Sequence, residues 1–208
     1  MSLGHWLRER GLPFMLGERE PPISLAEARV IVLDVDVTGV NIRSDRATGI
    51  AVLPVEAGRF SIADLSWFPL APADDPTDKL TPAWREQYRA LIDTLATSPI
   101  VTYNARFVRH MIKRTAAMYD LRLPFGRWID LAAILSGAIG KEMGEVISMQ
   151  RWQERLNVVS VAGHSAAGDV FAMAQLLEVA LAYCADRGIA TLDELIAEQK
   201  ARVWLRGE

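Results

Sequence analysis

Apolar residues along this chain occur as short continuous runs and as helical stripes, which polar connections separate. The run at 29–35 is β-branched and almost continuously apolar, a pattern typical of a strand that is buried on both faces. The segments 48–55 and 60–68 predict two further strands, which form a hairpin around Ala57 and Gly58.

Two shorter strands and a series of helices follow from the rest of the pattern. The strands are predicted at 100–103 and 128–129. Apolar residues at helical spacing predict the helices, and the last helix opens on a capping box formed by Thr191 and Glu194. The predicted helices cover 82–96, 105–119, 130–135, 146–156, 166–186 and a C-terminal segment from 191 onwards.

The order of these elements predicts an α/β fold with three layers. A strand, a β-hairpin and then alternating helices and strands favour a mixed central sheet of about five strands, flanked by helices on both faces. We expect a domain at 29–186, preceded by an N-terminal helical arm at 1–28 and followed by a C-terminal helix at 187–208. In such sheets, functional sites form beyond the carboxyl ends of the strands.

Composition favours a globular protein of the cytoplasm. The chain has 208 residues, of which 50% are hydrophobic, and this is ample for a sizeable core. No apolar stretch approaches the length of a membrane span, so we expect no membrane partner. Cys184 is the single cysteine and rules out an intramolecular disulfide, and its apolar neighbours predict a buried helix position.

Charge alone does not indicate a nucleic-acid-binding protein, because the formal net charge is −3. One predicted helix nevertheless has a basic face, since Arg106, Arg109 and Lys113 recur at a spacing of three and four residues. This face fits an ordinary solvated helix surface, and it also fits a rim that contacts a phosphate backbone.

Two carboxylates follow the first apolar run. Asp34 and Asp36 are two residues apart on a predicted strand, so their side chains point to the same face. Their charges repel, and the arrangement is unfavourable unless a cation lies between them. Hard oxygen ligands select Mg²⁺ or Mn²⁺, and the pair therefore predicts a site for a divalent cation.

A second group of chemically active residues opens the long apolar helix. His164 precedes Asp169 by five residues, and the two converge if His164 lies in the loop and Asp169 in the first turns. Asp169 can then bind a metal ion, and His164 can accept a proton from water. The alternative is a loop histidine beside an acid that the helix dipole favours.

Three segments of the chain contain these acids, the histidine and an asparagine: Asp34-Val35-Asp36-Val37-Thr38-Gly39, Asn104-Ala105-Arg106-Phe107-Val108 and His164-Ser165-Ala166-Ala167-Gly168-Asp169. Together they resemble the motifs of the DnaQ-like 3′–5′ exonucleases of the DEDDh type, which have a ribonuclease H-like fold. That family carries Asp-x-Glu-Thr-Thr-Gly, Asn-Ala-x-Phe-Asp and His-x-Ala-x-x-Asp. The resemblance spans about 29–182, and its third motif is of the histidine type.

The resemblance implies a catalytic mechanism. Asp34, Asp36 and Asp169 would hold two divalent ions, Mg²⁺ or Mn²⁺, and His164 would be the general base. The substrates would be 3′ ends of single-stranded DNA or RNA, and the products nucleoside 5′-monophosphates.

The resemblance also implies which residues contact the substrate. Thr38 and Gly39 would line the pocket for the terminal nucleotide, together with Asn104 and Phe107 of the second motif. Asp130 matches a further family aspartate, and we expect it to cap a helix instead of binding a metal ion.

Two departures from the family pattern weaken the expected activity. Asp36 stands where the family has glutamate, which shortens the reach by about 1.5 Å. Val108 stands where the family has aspartate, and a valine side chain neither binds a metal ion nor holds a water molecule. We expect Val108 to pack with Phe107 against the core, and we expect Val108→Asp to raise any metal-dependent exonuclease rate.

Two other functions remain open. One is a catalytically inactive exonuclease-fold domain that binds nucleic acid or a protein partner, and Val108 favours it. The other is a haloacid-dehalogenase-type phosphatase, in which Asp34 would be the nucleophile and Asp36 the acid–base. The phosphatase leaves the second motif and His164 unexplained.

The terminal segments predict a possible interface. Trp6 and Trp204 lie in the two terminal helical segments. These helices could dock on a second copy or on a protein partner, and they could equally pack within one chain.

Overall fold

The structure, a computed structural model, describes residues 22–70, 82–96, 98–118, 126–139, 147–159 and 165–205. Among these residues the strands form one mixed sheet in the order β3-β2-β1-β4-β5. Strand β1 is antiparallel to β2 and parallel to β4. The strands are β1 (Arg29–Val37), β2 (Ala47–Glu56), β3 (Ser66–Pro69), β4 (Ile100–Thr102) and β5 (Trp128–Asp130).

Helices cover both faces of this sheet, and this confirms the predicted three-layer α/β architecture. The helices are α1 (Pro82–Ala96), α2 (Ala105–Met118), α3 (Leu131–Ala138), α4 (Met149–Leu156), α5 (Ala166–Asp186) and α6 (Leu192–Leu205).

The alternation of side chains along β1 separates the two cores. Ile31 and Leu33 face α1 and α2 in one cluster of buried residues. Val30 and Val32 belong to the other cluster, which helices α3, α5 and α6 complete. Even-numbered side chains of β1 therefore lie on the α5 side of the sheet.

Helix α5 is the central helix of the second core. Its buried residues include Val170, Met173 and Leu177, and it packs on β1 and β2. Cys184 is buried on the same helix, as its neighbours predicted. The helix is also long and apolar enough to cross a membrane by length and composition, so our expectation of no such stretch was wrong. Its packing against the sheet explains why it is so apolar.

Two sequence-based boundaries were wrong because side-chain caps override the apolar pattern. The strand predicted at 60–68 begins only at Ser66, since Ser61 accepts a hydrogen bond from Ala63 N and starts a 3₁₀ turn. The helix predicted from 146 begins at Met149, because Ser148 is its N-cap and accepts a hydrogen bond from Arg151 N.

The C-terminal helix begins as predicted. Glu194 N donates to Thr191 Oγ1, and Thr191 N donates to Glu194 Oε2, which completes the capping box. Leu25 N donates to Ala190 O and ties the start of the described chain to this point. Most of the predicted N-terminal arm, with Trp6, lies outside the described residues, and the three-part division of the chain stays a prediction.

A β-bulge ends the pairing of β1 with β2. Asp36 pairs with Gly49 and Val37 pairs with Ala47, so Thr48 is the extra residue. Thr48 Oγ1 donates to Asp36 O at 3.2 Å. Ala47 N donates to the buried Thr115 Oγ1 of α2 at 2.8 Å, which fixes the bulge against the helix.

We predict that Thr115→Val destabilises the fold. Valine keeps the shape of threonine but leaves Ala47 N without an acceptor in a buried place, which costs about 1–3 kcal/mol. Urea unfolding measures the loss, and Thr94→Val is the matched control because Thr94 Oγ1 donates to Ala90 O within helix α1. Equal stability of Thr115→Val and wild type would show that this contact does not hold the bulge.

Candidate active site

Asp34 lies near the carboxyl end of β1, on the side of the sheet that α5 covers. Burial raises the pKa of its carboxyl group from an ordinary 3.8 to about 7. A hydrogen bond from the Val35 backbone opposes this rise, and the negative charges of Asp169 and Asp36 add to it. The three predicted acids are therefore near enough to interact electrostatically.

Asp36 is held by donors from two other elements. Its Oδ1 accepts a hydrogen bond from Ala166 N at the start of α5, at 2.8 Å. Its Oδ2 accepts from Trp67 Nε1 of β3, at 2.7 Å. The side chain thus connects β1 with the far strand of the hairpin and with the N-terminus of α5, where the helix dipole favours a negative charge.

Asp169 lies in the first turn of α5. Ser165 is the N-cap of this helix, and its side chain accepts a hydrogen bond from Gly168 N. The sequence prediction placed Asp169 at this position, and its charge acts on Asp34. His164, the predicted general base, lies outside the described residues.

Thr38 and Gly39 begin the loop that connects β1 with β2. Thr38 Oγ1 accepts from Arg46 N at 3.1 Å and donates to Asp45 Oδ1 at 3.3 Å, so the loop structure already engages this hydroxyl. A Cβ atom at Gly39 would come within 2.5 Å of Asp45 Oδ2, and glycine is therefore the residue that fits. Contact of either residue with a nucleotide stays a prediction.

The second motif lies at the same edge of the sheet, where β4 passes into α2. Asn104 has a left-handed backbone with φ of 57°, and its carbonyl oxygen accepts from Phe107 N and Val108 N. Its side chain is exposed, whereas Phe107 packs against the α1–α2 core. A role of Asn104 or Phe107 in substrate binding stays a prediction.

Asp130 is a helix cap, as the sequence predicted. Its Oδ1 accepts from Ala132 N in the first turn of α3, and its Oδ2 accepts from Ala105 N at the start of α2. Burial raises the pKa of this carboxyl group, and hydrogen bonds from the backbone oppose that rise. The side chain joins two helix starts and so has a structural role.

Val108 lies in the α1–α2 core, as expected for a valine that packs with Phe107. It is 2% exposed and shares its cluster with Ile31 and Leu33. Those strand residues alternate with Asp34 and Asp36, so the acids lie on the opposite face of the sheet. The position where the family has aspartate therefore contributes apolar packing in this chain.

The donor chemistry fits a hard divalent cation in part. Asp34 and Asp169 offer oxygen ligands of the type that Mg²⁺ and Mn²⁺ prefer. Within the part of the chain that the structure describes, no group of three or more His, Cys, Asp or Glu side chains is arranged to hold a metal ion. Both oxygens of Asp36 already accept hydrogen bonds from the protein.

Sequence reasoning missed two residues of this site, Trp67 and Gly49. A Cβ atom at Gly49 would lie 2.4–2.6 Å from the indole ring of Trp67, so the ring crosses β2 directly over this glycine. A glycine inside a strand pattern often marks such a close approach, and it was the available signal.

Comparison with solved structures identifies the fold. Escherichia coli exonuclease I in complex with a dT13 oligonucleotide is 16% identical with a TM-score of 0.56, and the match covers 77% of this chain and 42% of that one. The chain shares the fold of the matched part of that structure. Exonuclease X in complex with 5′ overhanging duplex DNA is also 16% identical, with a TM-score of 0.55, and the match covers 82% of this chain and 99% of that one.

This chain therefore spans about two fifths of the exonuclease I chain and nearly the whole of exonuclease X. A zinc-bound complex of E. coli exonuclease I with single-stranded DNA is similarly related, with 17% identity and a TM-score of 0.54. No family model and no curated protein sequence matches this chain. At these identities the similarity establishes the fold.

We predict a pH-dependent stability that originates at Asp34. Between its ordinary pKa of 3.8 and the raised value of about 7, the folded protein binds more protons at this carboxyl than the unfolded chain does. The free energy of unfolding should therefore fall as the pH rises through this interval, in the absence of divalent cations. Urea unfolding of wild type and Asp34→Asn across pH 4–8 measures it.

Asp34→Asn has no titrating carboxyl group at this position and should lack this pH dependence. The free energy of unfolding of wild type, relative to that of the variant, should therefore fall with rising pH. Parallel pH profiles of the two proteins would contradict the raised pKa.

The buried position of Val108 leads to a different prediction for Val108→Asp from the one that the motif suggests. The new carboxylate would be buried among Ile31, Leu33 and Met111, and burial of an unpaired charge costs several kcal/mol. We predict a large fall in the thermal unfolding midpoint, without a gain in nuclease rate. Val108→Ile controls for a simple change in packing. A stable Val108→Asp protein with a raised rate would place this residue at the active site after all.

Proposed function

We propose that the protein is a metal-dependent 3′–5′ exonuclease with a weakened site. It acts on single-stranded nucleic-acid ends and releases nucleoside 5′-monophosphates. The carrying observation is the buried Asp34 carboxyl, which interacts with the charges of Asp36 and Asp169 at the carboxyl end of β1. The fold shared with exonucleases I and X supports the proposal.

Asp34 and Asp169 are the residues that would hold a divalent cation, Mg²⁺ or Mn²⁺. Asp36 would become a third ligand when an oxygen of its carboxylate is released from its hydrogen bond to Ala166 N or Trp67 Nε1. When bound, the cation would neutralise charge on the phosphodiester and help to activate water. The family resemblance implies two ions and assigns the general base to His164, and both assignments are part of the proposal.

Substrate binding would use the basic face of α2. Arg106, Arg109 and Lys113 are exposed on this helix, and α2 begins at the edge of the sheet where β4 ends. Cations at this position would attract the phosphate backbone toward the acidic group. We assign Thr38, Gly39, Asn104 and Phe107 to the surroundings of the terminal nucleotide, in line with the motifs.

A second candidate is an inactive exonuclease-fold domain that binds nucleic acid or a protein. Two observations favour it: both oxygens of Asp36 accept hydrogen bonds within the protein, and Val108 is a core residue. The phosphatase alternative gains no support from the similarity to exonuclease X, which covers 82% of the chain.

A nuclease assay with a matched charge control tests the proposal. We predict that wild type with Mn²⁺ or Mg²⁺ shortens 5′-labelled single-stranded DNA or RNA from the 3′ end. Asp34→Ala should lower this rate by more than about a hundredfold, because it removes a cation ligand. Asp93→Ala removes an exposed carboxylate from α1 and should leave the rate unchanged.

Three results distinguish the candidates. Intact DNA and RNA with both metals, from a folded protein that binds oligonucleotide or a partner, would favour the inactive domain. Hydrolysis of small phosphomonoesters through a trapped aspartyl-phosphate on Asp34, with oligonucleotides left intact, would favour the phosphatase. Equal loss of activity in Asp34→Ala and Asp93→Ala would remove the special role of Asp34.

A further inference from the structure

The hydrogen bond from Trp67 Nε1 to Asp36 Oδ2 connects strands that are not neighbours. Strand β2 lies between β1 and β3, and Gly49 of β2 pairs with Asp36 on one side and Pro69 on the other. The indole ring crosses this glycine, where a Cβ atom would be 2.4–2.6 Å from three of its atoms. The contact therefore depends on the lack of a side chain at Gly49.

The bond engages the oxygen that a cation would need. Asp36 Oδ1 is already held by the backbone of α5, so Oδ2 is the oxygen whose partner is a side chain. Hydrogen bonds to a charged group are among the stronger ones in proteins, and breaking one opposes any ligand that competes for the same oxygen. Trp67 is 50% exposed, so its ring can leave this position without opening the core.

The β-bulge strengthens this arrangement. Thr48 Oγ1 donates to Asp36 O, and Ala47, which pairs with Val37, is fixed through its N–H to Thr115 Oγ1, so the bulge holds the backbone at and next to Asp36. With the backbone fixed, the short side chain of Asp36 has little freedom to serve Trp67 and a cation at once. A longer glutamate would have more reach.

We propose that Trp67 is a positioning residue that holds Asp36 away from the cation site, so that full coordination requires release of the indole N–H. This inference rests on the proposed function, because it presumes a divalent cation at Asp34 and Asp169. The tryptophan acts through Asp36 and weakens the affinity for the cation.

Cation affinity tests the inference directly. Isothermal calorimetry with Mn²⁺ should show that Trp67→Phe binds about tenfold more tightly than wild type, since phenylalanine lacks the competing donor. Gly49→Ala should act in the same direction, because its methyl group displaces the indole ring while Trp67 stays in the chain. In an Asp36→Ala background, Trp67→Phe should have no effect.

The indole N–H signal gives a readout that does not depend on affinity or activity. In a ¹⁵N-labelled full chain, the Trp67 signal is assigned by its absence from the spectrum of Trp67→Phe. Saturation with Mg²⁺ should shift this signal upfield and speed its exchange with water. The indole signal of Trp84, whose side chain lies in the core on the other face of the sheet, should stay in place.

The outcomes separate the inference from the proposed function. If wild type binds Mn²⁺ but Trp67→Phe and Gly49→Ala bind equally or more weakly, the inference is wrong and the exonuclease proposal stands. An unchanged Trp67 signal at saturating Mg²⁺ also overturns it. If neither wild type nor the two variants bind Mn²⁺, both fail. Circular dichroism and thermal unfolding confirm that the compared variants are folded.

Discussion

Burial of a carboxyl group beside two other acids is the constraint around which this site is built. Asp34 is largely buried, and the charges of Asp169 and Asp36 add to the effect of burial, so its ionised form is disfavoured until a positive charge arrives. An apolar residue at this position would remove that cost without loss of packing. The presence of an acid in this unfavourable position is the physical reason to assign it a function.

Two features of the protein limit the negative charge that acts on Asp34. The protein directs Asp36 toward Trp67 and the start of α5, where hydrogen bonds stabilise its charge. It also places Val108, instead of another acid, in the core on the opposite face of the sheet. Under the exonuclease proposal, both features would lower the affinity of the site for a cation.

Local patterns predicted the parts of the fold that depend on neighbouring residues. The alternation along β1 placed Asp34 and Asp36 on one face, and the capping box placed the start of α6. The contacts of Asp36 escaped prediction because Trp67 and Ala166 are 31 and 130 residues away. These contacts depend on the β-bulge at Thr48 and on the absence of a side chain at Gly49. Neither feature brings Asp36 and its partners together until β1, β2, β3 and α5 have packed.

Crystals soaked in Mn²⁺ test the central claim most directly, because the anomalous signal of manganese locates the ion without reference to activity. The account predicts an anomalous peak between the carboxylates of Asp34 and Asp169 at the carboxyl end of β1, and no such peak in Asp34→Ala crystals. Manganese bound only elsewhere on the surface, or the same peak in Asp34→Ala, would contradict it.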